Sequence, residues 1–477
     1  MTESDTIAAV STATGEGGIG IVRISGNKAL SILKKLFKAP GKKAGDCIFA
    51  DRSMLYGHIL DPLSSETVDE VLAVFMKGPH SYTGEDLCEI QCHGGTIPLR
   101  YILDLACQSG ARPAQPGEFT KRAFLNGRID LAQAGAVIDL IKSKTPLGYH
   151  AAKEQAEGKL SERVRDIRGV LLNVLAEIAV RIDYPEAYEE WEDTNNNLGL
   201  IISDPLKRAA NEVGELLKGA DAGRIVKDGI RAVIIGKPNV GKSSLFNAIV
   251  REDAAIVTEI PGTTRDSIEI WVDIDGIPVQ LIDTAGIREE GDGIELLGIE
   301  RTKEQYRKAE MSVFMLDGSA PLSVEDESIA QMLDPEKKLI VVIGKSDLPQ
   351  AIGKKEAVAL IPFQYRVEDV IYISLVDGEK MNDKEKTGEL ENRIRNISME
   401  GAFSGASLLV TKAQHKAAMK RAADEIEEAL EVMSGEKAYE FAEVNIRAAW
   451  EALGEIIGET ASDEIINCVF EEFCVGK

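Results

Sequence analysis

No apolar run in this 477-residue sequence is long enough to cross a bilayer, and the opening M-T-E-S-D-T lacks the basic-then-apolar order of an export signal. Cysteine is scarce. Six are spread over the chain (Cys47, Cys88, Cys92, Cys107, Cys468 and Cys474), too few for a disulfide framework at this length, so a reducing, cytoplasmic setting is expected. Positive charge is short as well. With 55 Lys and Arg against 79 Asp and Glu, the formal net charge is −24, which argues against broad nonspecific nucleic-acid binding. What remains is a globular composition, 44% hydrophobic and 28% charged, with length for about three domains.

The most informative stretch is Arg231–Asn247, R-A-V-I-I-G-K-P-N-V-G-K-S-S-L-F-N. A short apolar strand is followed by Gly236, Gly241, Lys242 and Ser243 at the spacing G-x-x-x-x-G-K-S, and then by a helical pattern. This is a phosphate-binding loop in its strand–loop–helix setting. Its glycines let backbone N–H groups turn inward on phosphates, and the helix N-terminus adds positive potential. Asn239, Val240, Gly241, Lys242, Ser243 and Ser244 would surround the phosphates, with Lys242 on the β- and γ-groups and the Ser243 hydroxyl on Mg²⁺.

The rest of the chain organises around it. Residues 1–118 read as mixed α and β, with strands at Thr6–Val10, Ile19–Ile24, Val68–Phe75 and Leu87–Cys92 and a helix at Leu30–Phe37. Alternation in the last strand sets Cys88, Ile90 and Cys92 on one face. C-x-x-x-C-H matches no common zinc spacing, so core packing is expected there. Residues 119–228 turn helical, with Leu160, Val164, Ile167, Leu171, Leu175, Ile178 and Ile182 forming one stripe, followed by an acidic run, Glu186–Asp193, read as solvated. Residues 229–398 alternate strands (Ala232–Gly236, Ser267–Ile274, Val279–Asp283, Ser312–Asp317, Leu339–Ile343, Val370–Ser374) with helices, which predicts a doubly wound sheet closed by the polar segment Asp377–Glu400. Residues 399–477 are helical again, with Ile426, Leu430 and Met433 on one face and Leu453, Ile456 and Ile457 on another. The expectation is a multidomain chain: an α+β N-terminal domain, an α-helical bundle, and an α/β P-loop domain inserted into that bundle. Two separate helical domains are the rival arrangement.

Later motifs choose the nucleotide. Asp283-Thr284-Ala285-Gly286 ends an apolar strand, where an Asp can hold a Mg²⁺-bound water and a Gly N–H can meet the γ-phosphate. Gly262-Thr263-Thr264 supplies a switch Thr, and Gly344-Lys345-Ser346-Asp347 follows another strand. Asp347 can accept from guanine N1 and N2, contacts adenine does not offer, so GTP is expected. Three departures stand out. Gly344 replaces the Asn of N-K-x-D, Ser374-Leu375 replaces the usual S-A, and Ile287 stands where many GTPases orient water with Gln. The charged segment Arg288–Glu300 is a source of the missing catalytic group or simply a solvated helix start.

D-T-I-A-A-V with G-G-I-G-I-V-R-I-S-G (Asp5–Gly26), Y-T-G-E-D-L-C-E-I (Tyr82–Ile90), P-G-E-F-T-K-R-A-F-L-N-G-R-I-D-L-A-Q-A (Pro116–Ala134), the loop and switch stretches within Gly236–Asp266, and the terminal F-C-V-G-K (Phe473–Lys477) resemble the MnmE (TrmE) family of tRNA-modification GTPases over essentially the whole chain. The resemblance implies a K⁺ ion in place of an arginine finger, held by Asn239 and by Thr258, Ile260 and Thr263 in the GTP-contacting segment Thr258-Glu259-Ile260-Pro261-Gly262-Thr263-Thr264. It implies Mg²⁺ on Ser243 and Thr264, Glu295 as the catalytic glutamate, and hydrolysis that depends on two nucleotide domains meeting. It implies an N-terminal module that forms a homodimer and binds 5-formyl- or 5,10-methylene-tetrahydrofolate through Arg23, Glu89, Arg128 and Lys477, with Cys474 near the chemistry. The implied partners are the flavoprotein MnmG (GidA) and tRNA, whose wobble uridine receives an aminomethyl or carboxymethylaminomethyl group at C5. Lys412, Lys416, Lys420 and Arg421 are candidate RNA contacts. Two rivals share the nucleotide motifs: a GTP-gated ribosome-assembly or RNA-binding GTPase, and a folate enzyme with a merely regulatory nucleotide domain.

Overall fold

The computed structural model describes residues 5–13, 15–43, 45–184, 199–250, 255–256, 268–283, 304–375, 383–399, 408–433, 439–471, 473 and 475–476. They form two compact units, one of residues 1–141, 155–210 and 421–477 and one of residues 142–154 and 211–420. Among the described residues no helix is long and apolar enough to cross a membrane.

The first unit holds a sheet of β1 (Ile7–Val10), β2 (Gly17–Ser25), β3 (Phe37–Lys38), β4 (Met54–Leu60), β5 (Thr67–Met76), β6 (Leu87–Gly94) and β7 (Arg112–Pro113), in the order β3-β4-β5-β6-β2-β1-β7. Every pairing is antiparallel except β1 with β7. Helices Ala29–Leu36 and Thr96–Gln108 bury Ile32, Leu33, Leu36, Ile102 and Leu105 with Val22, Ile24, Ala73 and Ile90 of the sheet. The alternation expected for β6 is observed. Cys88, Ile90 and Cys92 enter this core, while Glu89 and Gln91 lie half-buried on the other face. Burial pushes the Cys88 thiol far up and the Cys92 thiol up to about 11, so both are packing groups rather than thiolates.

In the same unit, the helix Lys159–Asp183 buries Leu160, Val164, Ile167, Leu171, Leu175 and Ile178 of the expected stripe and leaves its last member, Ile182, half-buried. It meets the helix Tyr439–Ile457 through Arg168, whose Nε donates to the Trp450 carbonyl at 3.1 Å, whose guanidinium stands 3.9 Å from the Trp450 ring centre, and which also pairs with Glu459. Helical stretches from either side of the nucleotide domain's sequence therefore pack on each other.

The second unit holds β8 (Ile230–Ile235), β9 (Ala255–Ile256), β10 (Ile268–Ile274), β11 (Ile277–Asp283), β12 (Met311–Asp317), β13 (Lys338–Gly344) and β14 (Val370–Tyr372), in the order β14-β13-β12-β8-β11-β10-β9. The strands from β14 to β11 run parallel, and β10 and β9 add an antiparallel edge. β8, β12 and β13 are almost wholly apolar and buried, as parallel strands covered on both faces must be. Asp377–Glu400 is expected to close the sheet as a polar segment. Its residues Asp383–Met399 form a helix instead, and Leu390, Ile394 and Ile397, spaced four and three apart, seat it on the core. β10 and β11 are joined by a two-residue turn with Asp275 at φ 49° and Gly276 at φ 89°, the left-handed pair that a tight hairpin requires. The Thr145 hydroxyl donates to the Gly276 carbonyl at 2.8 Å, and Lys144 Nζ stands 3.2 Å from the Trp271 ring centre.

Candidate functional site

The C-terminal ends of the parallel strands gather the nucleotide-motif residues. After β8, Gly236 at φ 153° passes so close to the Met315 carbonyl that a Cβ there would lie 2.4 Å from that oxygen. Asn239 (φ 63°) and Gly241 (φ 106°) then turn the loop, and the helix Lys242–Ile249 begins. Asn, with its short polar side chain, is the non-glycine residue that tolerates this conformation best. Val240 is buried as the loop's apolar anchor, whereas the side chains of Asn239, Ser243 and Ser244 are exposed. Lys242 Nζ donates to the carbonyls of Gly236 and Lys237, at 2.9 Å each, and so lies across its own loop.

A second set of residues braces the loop, and motif reading did not find them. Lys237 Nζ reaches the buried Asp326 carboxylate at 2.7 Å, and the same Oδ2 accepts from the Ser323 N–H at 2.9 Å and hydroxyl at 2.7 Å. Ser323 and Asp326 are the capping box of the helix Val324–Ala330, so the phosphate loop is tied to a helix start. The only trace in the sequence is S-x-x-D at that cap.

Beside the loop, β13 ends at Gly344 and Lys345 adopts φ 56°. Lys345 Nζ bonds Asp317, the last residue of β12, at 2.6 Å. Burial pushes the Asp317 carboxyl up, but the bonds from Lys345 and Ser319 outweigh it and hold the group below its ordinary value. The Ser374 hydroxyl donates to Asp347 Oδ1 at 2.7 Å, and Ser346 N–H donates to the Ile373 carbonyl at 3.2 Å. Asp347 and Ser374, 27 positions apart in sequence, thus stand together, with the exposed Asp347 carboxylate oriented by a hydroxyl. The Asp283 backbone pairs with Ile234, which brings the end of β11 next to the start of the phosphate loop. Thr258, Glu259, Ile260, Pro261, Gly262, Thr263, Thr264, Thr284, Ala285, Gly286 and Glu295 lie outside the described residues.

A separate cluster occupies the first unit. Arg23 on β2 and Glu89 on β6 are directly opposite in the antiparallel register. Arg23 Nε and Nη2 donate to Glu89 Oε1 at 2.9 and 2.7 Å, and each side chain keeps 17% exposure. Two guanidiniums approach the Tyr82 ring, Arg23 at 5.5 Å and Arg128 at 5.1 Å from its centre, and Arg128 also donates to the Tyr82 carbonyl. The chain's tail arrives at the same place. The Gly476 carbonyl accepts from the Ser11 hydroxyl at 3.0 Å and lies 3.5 Å from Arg23 Nη1. A Cβ on Gly476 would lie 2.1 Å from the Val10 carbonyl, so the tail lies flat on the end of β1. Cys474 and Lys477 are outside the described residues. Of the basic residues near 412–421, Lys416 is paired with Asp221 and Arg421 with Glu455.

The strand–loop–helix cradle at the carboxyl edge of a mainly parallel sheet, with K-x-D on the adjoining loop, defines the class: a P-loop guanine-nucleotide domain, here carried with an α+β domain and a set of helices. Comparison with known proteins takes this further. The family described as "GTP-binding protein TrmE N-terminus" matches residues 6–128, and "MnmE helical domain" matches 131–474. Curated relatives named tRNA modification GTPase MnmE are 46% identical in Alkaliphilus oremlandii (99% of each chain) and 42% identical in Geobacillus kaustophilus (100% of each chain). Among solved structures, Era from Aquifex aeolicus (24% identical, 41% of this chain and 66% of that one, TM-score 0.26) and the G domain of T. maritima FeoB (26%, 35% and 98%, TM-score 0.26) are similar. The chain belongs to the MnmE (TrmE) family of tRNA modification GTPases.

Proposed function

We propose that this GTP hydrolase works as a K⁺-stimulated, cytoplasmic homodimer. With the flavoprotein MnmG and a tetrahydrofolate one-carbon unit, it would add an aminomethyl or carboxymethylaminomethyl group to C5 of the tRNA wobble uridine. The observation that carries the folate part is the meeting of the tail with Arg23, which is itself paired with Glu89, an arrangement that a purely nucleotide-gated protein does not need. Glu89 accepts from the amino and ring N–H groups of a pterin, Arg128 and Tyr82 offer a charged and an aromatic face, and Lys477 meets anionic parts of the ligand. The bound folate supplies the one-carbon unit.

On the nucleotide side, the donor set fits a triphosphate and its cations. Exposed oxygens of Asn239, Ser243 and Ser244 crown the loop, and Lys242 sits within it. Ser243 and Thr264 would hold Mg²⁺, and Asn239, Thr258, Ile260 and Thr263 would hold K⁺. A monovalent cation supplies positive charge for the phosphoryl transition state without an arginine from a partner. Lys242 meets the β- and γ-phosphates, Asp347 reads guanine, and Glu295 orders water in place of the Gln that Ile287 has displaced. The test is steady-state GTP hydrolysis in KCl and NaCl at equal ionic strength. Strong stimulation by K⁺, lost in Asn239→Ala, is expected. Equal rates would refute the cation mechanism, and absence of 5-formyl-tetrahydrofolate binding in the same preparation would favour a ribosome-assembly or other RNA-binding GTPase.

A further inference from the structure

Gly344 stands where the asparagine of N-K-x-D belongs, and the structure shows what occupies the space that side chain would fill. Met315 is 1% exposed on β12, between β8 and β13. Its terminal Cε lies 2.8 Å from the position a Cβ on Gly344 would take, and 3.0 Å from that of a Cβ on Gly241 in the phosphate loop. The Val240 carbonyl oxygen lies 3.3 Å from the same Gly344 position. An asparagine at 344 would set its amide within reach of that carbonyl and so join base loop to phosphate loop by a hydrogen bond. Here a thioether methyl fills the gap, touching both loops through their glycines.

The geometry points to Met315 and Gly344 as one coupled determinant of guanine-nucleotide binding: Met315 sets the spacing between the loop that holds the phosphates and the loop that reads the base. The inference rests on the GTPase reading and goes beyond it, since it concerns the packing between the two loops rather than a group assigned to phosphate or base. Asp347 and Lys242 are fixed relative to each other through it. Methionine suits the role because its unbranched, polarisable side chain fills irregular gaps. A side chain added at 344 without retracting Met315 overpacks the junction, whereas leucine at 315 keeps core volume and withdraws the terminal methyl.

The test is a double-variant cycle on the full-length chain, read as affinity for fluorescent mant-GDP, with thermal unfolding of the same samples. Gly344→Asn alone is expected to weaken binding about tenfold, and Met315→Leu alone by about threefold or less. The double variant is expected to bind at least as tightly as the wild type, because the amide can then reach the Val240 carbonyl. Gly344→Ala, which adds only the Cβ, runs the same cycle if the asparagine variant does not fold. Recovery in the double variant by threefold or more over the product of the single effects supports the coupling; any smaller recovery overturns it. Wild type that binds no mant-GDP would overturn the nucleotide reading and this inference with it, whereas normal wild-type binding with multiplying single effects overturns the inference alone.

Discussion

Two carboxylates in this molecule are candidates for reading a heterocycle, and they are prepared in opposite ways. Asp347 is exposed and carries a hydroxyl bond from Ser374, so its acceptor capacity faces outward. Glu89 is mostly buried and already holds the Arg23 guanidinium. A guanine can dock on Asp347 without breaking an ion pair, but a pterin on Glu89 must share the carboxylate with Arg23. Asp347 therefore stands open to a further donor, whereas Glu89 is already paired with a cation. The supports differ too. The nucleotide loops are held by covered parallel strands and a helix cap, whereas the N-terminal cluster is held by a strand register and by a tail from the far end of the chain.

Three substitutions break this comparison at different points. The largest effect is expected from Lys242→Ala, which removes the ammonium from the phosphate loop and should lower kcat for GTP by on the order of 10²–10³. 5-formyl-tetrahydrofolate affinity, measured by calorimetry, should not move, because Arg23, Glu89 and Arg128 belong to the other unit. A variant that lost both would show that the sites do not act as separate binding centres. Next comes Glu89→Gln, which keeps the shape but removes the charge. Loss of its charge-assisted bonds should weaken folate binding by about 10- to 100-fold while GTP turnover stays within about twofold. Folate affinity equal to wild type would remove Glu89 from the site.

The smallest effect concerns the frame of the N-terminal cluster. Arg112 and Arg122 bridge Asp5, Glu85 and Glu118 around the helix Glu118–Leu125. Burial pushes the Glu118 carboxyl up, yet the bonds from Arg112, the Gln115 N–H and Arg122 prevail and hold it below its ordinary value. A carboxylate with a depressed folded-state pKa adds stability above its unfolded value, near 4.3, and that stability is lost as pH falls through the folded value. Thermal unfolding of Glu118→Gln should therefore differ from wild type at neutral pH and converge with it in acid. A gap that stays constant with pH would mean the ion pairs contribute nothing.

Legibility in the sequence followed contiguity. The phosphate loop was readable because strand, loop and helix lie within one short stretch, and every strand expected for the nucleotide sheet has a counterpart within about two residues at each end. β4 escaped notice because Met54–Leu60 interrupts its alternation with Gly57 and His58 and is only partly buried. The helix Asp383–Met399 was obscured by charge, its seat on the core being three buried apolar residues and the half-buried Met399 among seventeen. Arg23 and Glu89 are 66 positions apart, and only the pairing of β2 with β6 makes them neighbours. Family resemblance found that pair; no spacing rule could have. Lys237–Asp326 and Met315–Gly344 escaped both routes, because Lys237, Asp326 and Met315 carry no motif role and both contacts exist only after folding.

The segment at 142–154 has a practical corollary for anyone who would cut this protein. It sits among the helices in sequence but belongs to the nucleotide unit in space. A fragment beginning at Gly229 would retain the β10–β11 hairpin without the Thr145 hydroxyl on Gly276, and Trp271 without Lys144 above it. The hairpin's β10 follows one switch stretch and its β11 leads into the other. An isolated nucleotide domain cut there would thus be assayed with that hairpin unclasped, and its kinetics would describe the fragment rather than the protein.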